Sequence, residues 1–137
     1  MKIFIDTAPF IYLIEKHPKY SAPLKKYFTE LYVDGYEIIT SVITYSEYGI
    51  KPKRDHKEEL IKEFEEFVGK IGIPLLNVDK NHATKAYEMR AKYKFLKGMD
   101  GIQIGTAIEE SCDKFLTNDI KLGKVEELEI ILVDKLE

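Results

Sequence analysis

Apolar positions recur along the chain with two different periods, and the switches between them mark out the elements. Lys2 to Ile5 is a short β-rich run, and PFIYLIEKH after Thr7 lengthens into a helical pattern that stops before Pro18. Ser21 to Tyr32 places Leu24, Phe28, Leu31 and Tyr32 on one helical stripe, closed by Asp34-Gly35, and Tyr36 to Thr40 then reads as a strand. Ser41 is placed to N-cap a helix through Ile50, which Pro52 and the charged KPKRDH stretch are predicted to break into a surface loop. From His56 to Val68, Leu60, Ile61, Phe64, Phe67 and Val68 form the clearest amphipathic stripe. Gly72 and Pro74 precede a third strand over Leu75 to Val78, and Asp79 caps a helix carrying Ala83, Ala86, Tyr87 and Ala91. A further helix is predicted from about Asp100 to Cys112, with strands at Lys114 to Thr117 and Glu129 to Val133. Strands separated by helices throughout imply an α/β domain, residues 1–137, with a parallel sheet covered on both faces.

Composition narrows the function classes. Lysine and arginine total 21 against 24 acids, a formal charge of −3, so no global basic field is available to hold nucleic acid and any polyanion must be gripped locally. Cys112 is the only cysteine, which excludes an intramolecular disulfide and a thiol-pair redox site and suits a reducing cytoplasm. The apolar start MKIFIDTAPFIYLIEKH is interrupted by Asp6 and followed by no small-residue cleavage site, so it is read as part of the fold. No run approaches the roughly 18 apolar residues of a membrane span.

Most acids belong to solvated faces, as Glu58, Glu59, Glu63, Glu65 and Glu66 do. Four stand where apolar or sheet-end residues are expected. Asp6 ends the first strand, where an ordinary role is a helix N-cap. Glu47 shares the inward stripe of Ile43 and Ile50, where pairing with Lys51 would satisfy it. Asp100 lies one turn before Ile104, where a capping box with Gln103 is the ordinary role. Asp119 ends the fourth strand, where an Asx turn would suffice. All four nevertheless fall at the carboxyl edge of a parallel sheet or on helices leaving it, where open α/β sheets bind ligands. Carboxylates crowded there raise one another's pKa values unless a divalent cation neutralises them, and all-oxygen ligation favours Mg²⁺ or Mn²⁺. Such sites act on phosphates.

Three segments, FIDTAPFIY, SVITYSEYGIKP and GMDGIQIGTAIEESCDKFLTND, together resemble the PIN domain family, in particular the VapC toxins of toxin–antitoxin pairs. The resemblance implies a five-stranded parallel sheet in the order 3-2-1-4-5, with Asp6, Glu47, Asp100 and Asp119 as an acidic quartet and Thr117 as a supporting hydroxyl. It implies metal-dependent endonucleolytic cleavage of single-stranded or looped RNA, leaving a 5′-phosphate and a 3′-hydroxyl. In that scheme Asp6, Asp100 and Asp119, together with Glu47, make the metal site for one or two Mg²⁺ or Mn²⁺ ions, and Glu47 orients or deprotonates the attacking water. An antitoxin protein and a homodimer are the implied partners. Two departures stand out: Ala8 replaces the Asn or Ser common in the family, and the 20 acids outside the quartet merely balance the 21 basic residues.

Lys51, Lys53 and Arg54, just after Glu47, are the first candidates for RNA phosphate contacts, followed by Lys92, Lys94 and Lys97 before Asp100. Tyr12, Tyr45 and Tyr48 are candidate faces for unpaired bases. Tyr20, Tyr27 and Tyr32 would suit a homodimer or antitoxin surface. Two competing readings are a PIN-like module that binds RNA or protein without cutting it, and a phosphoacceptor receiver domain. The receiver requires a pair of acids after the first strand, whereas Thr7 follows Asp6 here and Asp79 reads as a helix cap.

Overall fold

Each strand sorts its side chains by the two-residue period of extended chain, and that sorting divides the core in two. A computed structural model describes residues 1–137. Its strands are β1 (Lys2–Ile5), β2 (Glu37–Ser41), β3 (Leu75–Leu76), β4 (Lys114–Thr117) and β5 (Glu129–Leu132). Ile3, Ile5, Ile38 and Leu116 enter one buried cluster, while the intervening Phe4, Ile39 and Phe115 enter the other. The sheet runs β3-β2-β1-β4-β5 with every pair parallel, as the family resemblance implies. Phe4 pairs with Phe115 in register, and their rings stack with centroids 5.2 Å apart.

Helices α1 (Thr7–Ile14), α2 (Ser21–Val33), α3 (Val42–Arg54) and α4 (Glu59–Ile71) supply the first cluster through Phe10, Leu13, Leu24, Phe28, Tyr48, Phe64 and Val68. Helices α5 (Lys80–Lys92) and α6 (Gly98–Glu109) supply the second through Met89, Ile104 and Ala107. These two pack unusually closely: a Cβ on Gly105 would lie 2.6 Å from the Ala86 backbone nitrogen. Asp79 caps α5 as the sequence indicates, and the His82 imidazole returns the hydrogen bond in a capping box.

Two local expectations are corrected. Pro52 does not break α3, which continues to Arg54, so Lys51, Lys53 and Arg54 occupy its last turn rather than a loop. Near a helix end the proline forfeits a single hydrogen bond, its ring is buried, and three basic side chains complement the negative end of the dipole. Helix α6 begins at Gly98, so Asp100 lies inside its first turn instead of capping it. The carboxyl ends of β1 and β4 are neighbours, which makes this edge the point where the strand order reverses and where the crevice opens.

Candidate active site

Asp6 follows β1 directly. Its backbone N–H donates to the Leu116 carbonyl at 2.9 Å, extending the β1–β4 ladder by one bond and fixing where its side chain begins. One carboxylate oxygen accepts the Thr7 N–H at 2.8 Å and the other accepts the Thr117 hydroxyl at 2.8 Å. Asp6 is thus the α1 N-cap, and its second oxygen bonds Thr117, so capping does not preclude a role at this edge. The Thr7 hydroxyl reaches across to α3 and donates to Glu47 Oε1 at 2.7 Å. Glu47 forms no ion pair with Lys51; the threonine after Asp6 holds it instead.

Asp119 makes the turn that the sequence offers as its ordinary role. Its carboxylate accepts the Lys121 N–H at 3.0 Å, starting the short 3₁₀ turn at Ile120–Lys124, while its own N–H donates to the Thr117 hydroxyl at 3.2 Å. Thr117 therefore ties Asp6 to Asp119 across the two strand ends. Asp100 enters from the first turn of α6. Together Asp6, Thr7, Ala8, Ile11, Glu47, Ile50, Lys51 and Asp100 line an open cleft of about 440 Å³. A larger hollow of about 520 Å³ lies elsewhere, lined largely by the apolar Leu13, Ile14, Phe28, Phe67 and Ile71 of α1, α2 and α4, and it lacks the convergent acids.

Electrostatics separates Asp6 and Asp100 from the other acids. Burial raises the Asp6 pKa above the ordinary carboxylate range, with the Glu47 charge adding to the rise, while hydrogen bonding from Thr117 and Thr7 opposes it. Burial also raises the Asp100 pKa, followed by repulsion from Asp6 and Asp119, with Lys121 partly offsetting both. None of the four acids has a basic partner within ion-pairing distance, although six lysine–carboxylate pairs are made elsewhere. These carboxylates are unpaired, and their oxygen donors suit a hard divalent cation. No three of these side chains close on one point as a complete protein cage. The acids of this edge thus match a hard cation in donor type, while the side chains as placed do not converge as a metal-binding group.

The other candidates divide. Lys51 lines the cleft, but Lys53 pairs with Glu58 at 3.3 Å and Lys92 with Glu127 at 2.7 Å. Tyr48 is buried with its hydroxyl on the Leu60 carbonyl and offers no face to a base. Tyr12 is partly buried and its hydroxyl accepts from Asn118 at 3.2 Å, whereas Tyr45 and Tyr32 are exposed. Burial pushes the Cys112 thiol up to about 12, which removes it as a nucleophile. Two residues were missed at the level of sequence. Thr7 could have been found from its place between a strand-end acid and a helix start. Gln103, the only glutamine, stands in sequence as a capping partner of Asp100, yet it is buried and hydrogen-bonded to Ser41 and Thr44.

A comparison of the sequence with curated proteins found no match. Solved structures do share the fold. VapBC2 from Rickettsia felis bound to a promoter DNA fragment superposes with a TM-score of 0.78 at 22% identity, over 96% of this chain and 98% of that one. A toxin–antitoxin complex from Klebsiella pneumoniae gives 0.69 at 19% identity, over 96% and 97%. VapC20 of Mycobacterium tuberculosis, a toxin that cleaves the sarcin–ricin loop, gives 0.68 at 12% identity, over 92% and 98%. The family profile described as PIN domain matches residues 3–128, nearly the whole chain with β4 and all four acids inside it, and the protein belongs to the PIN domain family.

Proposed function

We propose that this protein is a divalent-cation-dependent endoribonuclease, cutting single-stranded or looped RNA as the toxin of a toxin–antitoxin pair. One observation carries the reading: Asp6, Glu47, Asp100 and Asp119, drawn from four elements, crowd the switch point of the sheet without a single basic partner. Asp6, Asp100 and Asp119 are the residues that would hold Mg²⁺ or Mn²⁺, directly or through water. When bound, such an ion neutralises the scissile phosphate and lowers the pKa of a coordinated water.

The protein's own groups supply the remainder. Thr7 fixes one oxygen of Glu47, leaving the other free to orient a water and accept its proton. Thr117 holds Asp6 and Asp119 in a common frame, so the acids on the two strand ends move as one unit. Lys51 places a cation on the wall of the cleft, suited to a phosphate flanking the cut, with Arg54 farther along the same turn. Lys53 is the weakest of the three candidates because Glu58 already engages it.

The named partners of the structural neighbours support an antitoxin as the partner here. A homodimer follows from the family resemblance. No helix is long and apolar enough to cross a membrane, and the proposed site of action is the cytoplasm. The test is a panel of single-stranded, looped and duplex RNAs incubated with wild type and with Asp100→Asn in Mn²⁺, with product ends mapped. Metal-dependent cleavage of unpaired segments leaving 5′-phosphates, lost in the variant, is expected. Equal cleavage by Asp100→Asn would refute the assignment. Tight RNA binding by wild type with no cutting of any substrate would support the non-catalytic PIN-like module instead.

A further inference from the structure

Beneath the acidic cleft lies a polar network with no access to water. Thr40, Ser41 and Thr44 are fully buried and Gln103 is 1% exposed. Ser41 Oγ lies 2.6 Å from Gln103 Oε1, Gln103 Nε2 lies 2.7 Å from Thr44 Oγ1, and Thr40 Oγ1 lies 2.8 Å from Thr44 Oγ1 and 2.7 Å from the Ile5 carbonyl oxygen.

The hydrogens in this network have one consistent arrangement. The Ile5 carbonyl can only accept, so the Thr40 hydroxyl donates to it. With that hydrogen committed, Thr44 donates to Thr40, and Thr44 in turn accepts from the Gln103 amide. Ser41, whose oxygen accepts the Ile43 N–H at 3.1 Å, donates to the Gln103 carbonyl. Rotating the amide by half a turn would claim the Thr44 hydrogen and leave the Thr40–Thr44 contact with none. The order Gln103 to Thr44 to Thr40 to the Ile5 carbonyl is therefore fixed by satisfiability alone.

The positions joined in this way are those that carry the acids. Gln103 lies one turn after Asp100 on α6, Thr44 one turn before Glu47 on α3, and Ile5 immediately before Asp6. We propose that Gln103 is a positioning residue for RNA cleavage, its amide locking α6 to α3 and to the end of β1 so that Asp100, Glu47 and Asp6 keep their mutual geometry. The proposal rests on the nuclease reading above. Because the network is dry, water cannot replace a deleted member, and the loss passes to the elements it joins.

The test compares wild type, Gln103→Met, Thr44→Val, the double variant, and Val68→Ala as a core-weakened control outside the network. Each is measured for melting temperature, for Mn²⁺ affinity by titration calorimetry, and for kcat and KM on a single-stranded RNA. Gln103→Met is expected to lower kcat and weaken Mn²⁺ binding about 10–100-fold with KM for RNA little changed, as partners behind site ligands do. The near-isosteric Thr44→Val should shift both in the same direction, and the double variant should lose less than the product of the two. Val68→Ala should lose melting temperature and keep both readouts. Gln103→Met or Thr44→Val with kcat and Mn²⁺ affinity within about twofold of wild type, whatever the melting temperature, overturns the positioning role. Wild type that neither cleaves RNA nor binds Mn²⁺ overturns the nuclease reading, and the positioning role with it.

Discussion

Gly105→Ala tests whether the close approach of α5 and α6 sets the site. A Cβ at residue 105 would lie 2.6 Å from the Ala86 nitrogen and 2.7 Å from its Cα, where ordinary contact begins at 3.4 Å. Those atoms are helix backbone and cannot swing aside, so the helices must part by about 0.8 Å. Overpacking of this kind costs about 1–3 kcal/mol, while alanine in place of glycine in a helix returns about 1 kcal/mol. The two backbone clashes put the strain at the upper end, leaving a net loss of about 2 kcal/mol, or about 6 °C in melting temperature for a chain this size. The same substitution at Gly69 in α4 meets nothing within 4 Å, so there only the helix term acts, and a gain of about 3 °C is expected. Helix α6 also carries Asp100, and a displacement approaching 1 Å should cost about tenfold or more in RNA cleavage. Thermal melts followed by circular dichroism, with cleavage rates on the same samples, separate the terms. Gly105→Ala melting at or above wild type would refute the packing account.

Four further outcomes follow from the site. Asp6 and Asp100 have raised pKa values in the folded chain, so protonation favours folding. Their destabilisation is complete above the folded values and fades as pH falls through them toward the unfolded value near 3.9. Urea titrations in EDTA should therefore show wild type losing ground to Asp6→Asn/Asp100→Asn as pH rises toward 7, and a constant difference across that range would contradict the shifts. Mn²⁺ at a hundred times its dissociation constant should stabilise wild type by about 2.7 kcal/mol, or about 8 °C, and Asp119→Asn should abolish most of that gain in scanning calorimetry. Thr7→Val removes the hydroxyl that holds Glu47 and should lower kcat about tenfold with little change in melting temperature; unchanged kcat would free Glu47 from that role. Lys51→Ala should reduce the salt slope of single-stranded RNA binding by about 0.7, whereas Lys53→Ala should leave it nearly unaltered because Glu58 already neutralises Lys53.

The strands and the acids were legible because both follow short-range rules. Ile3-Phe4-Ile5 alternates between two cores as extended chain must, and Asp6 and Asp119 stand where such runs end. Their alternative readings as caps were equally legible, and capping does not preclude a role at this edge because a carboxylate has lone pairs for a backbone N–H and for another partner. Pro52 misled because a local rule about helix interiors was applied to a last turn, where the side chain is buried by tertiary packing. Gln103 was illegible for a different reason. Its partners lie 59 and 62 residues away, so no window of sequence could distinguish a buried bridging amide from a solvent-facing cap. Likewise, the pairings of Lys53 and Lys92, which decide which basic residues remain available to RNA, exist only once helices and loops have been placed.

The most direct test of the central claim is cleavage of one uniformly labelled single-stranded RNA by wild type and Asp6→Asn/Asp100→Asn prepared in parallel, in Mn²⁺ and then in excess EDTA. The account requires cutting by wild type that EDTA stops, and none by the variant at equal folded concentration. Cutting that survives EDTA, or that the double variant reproduces, would show that the acidic cleft is not where the phosphodiester is broken.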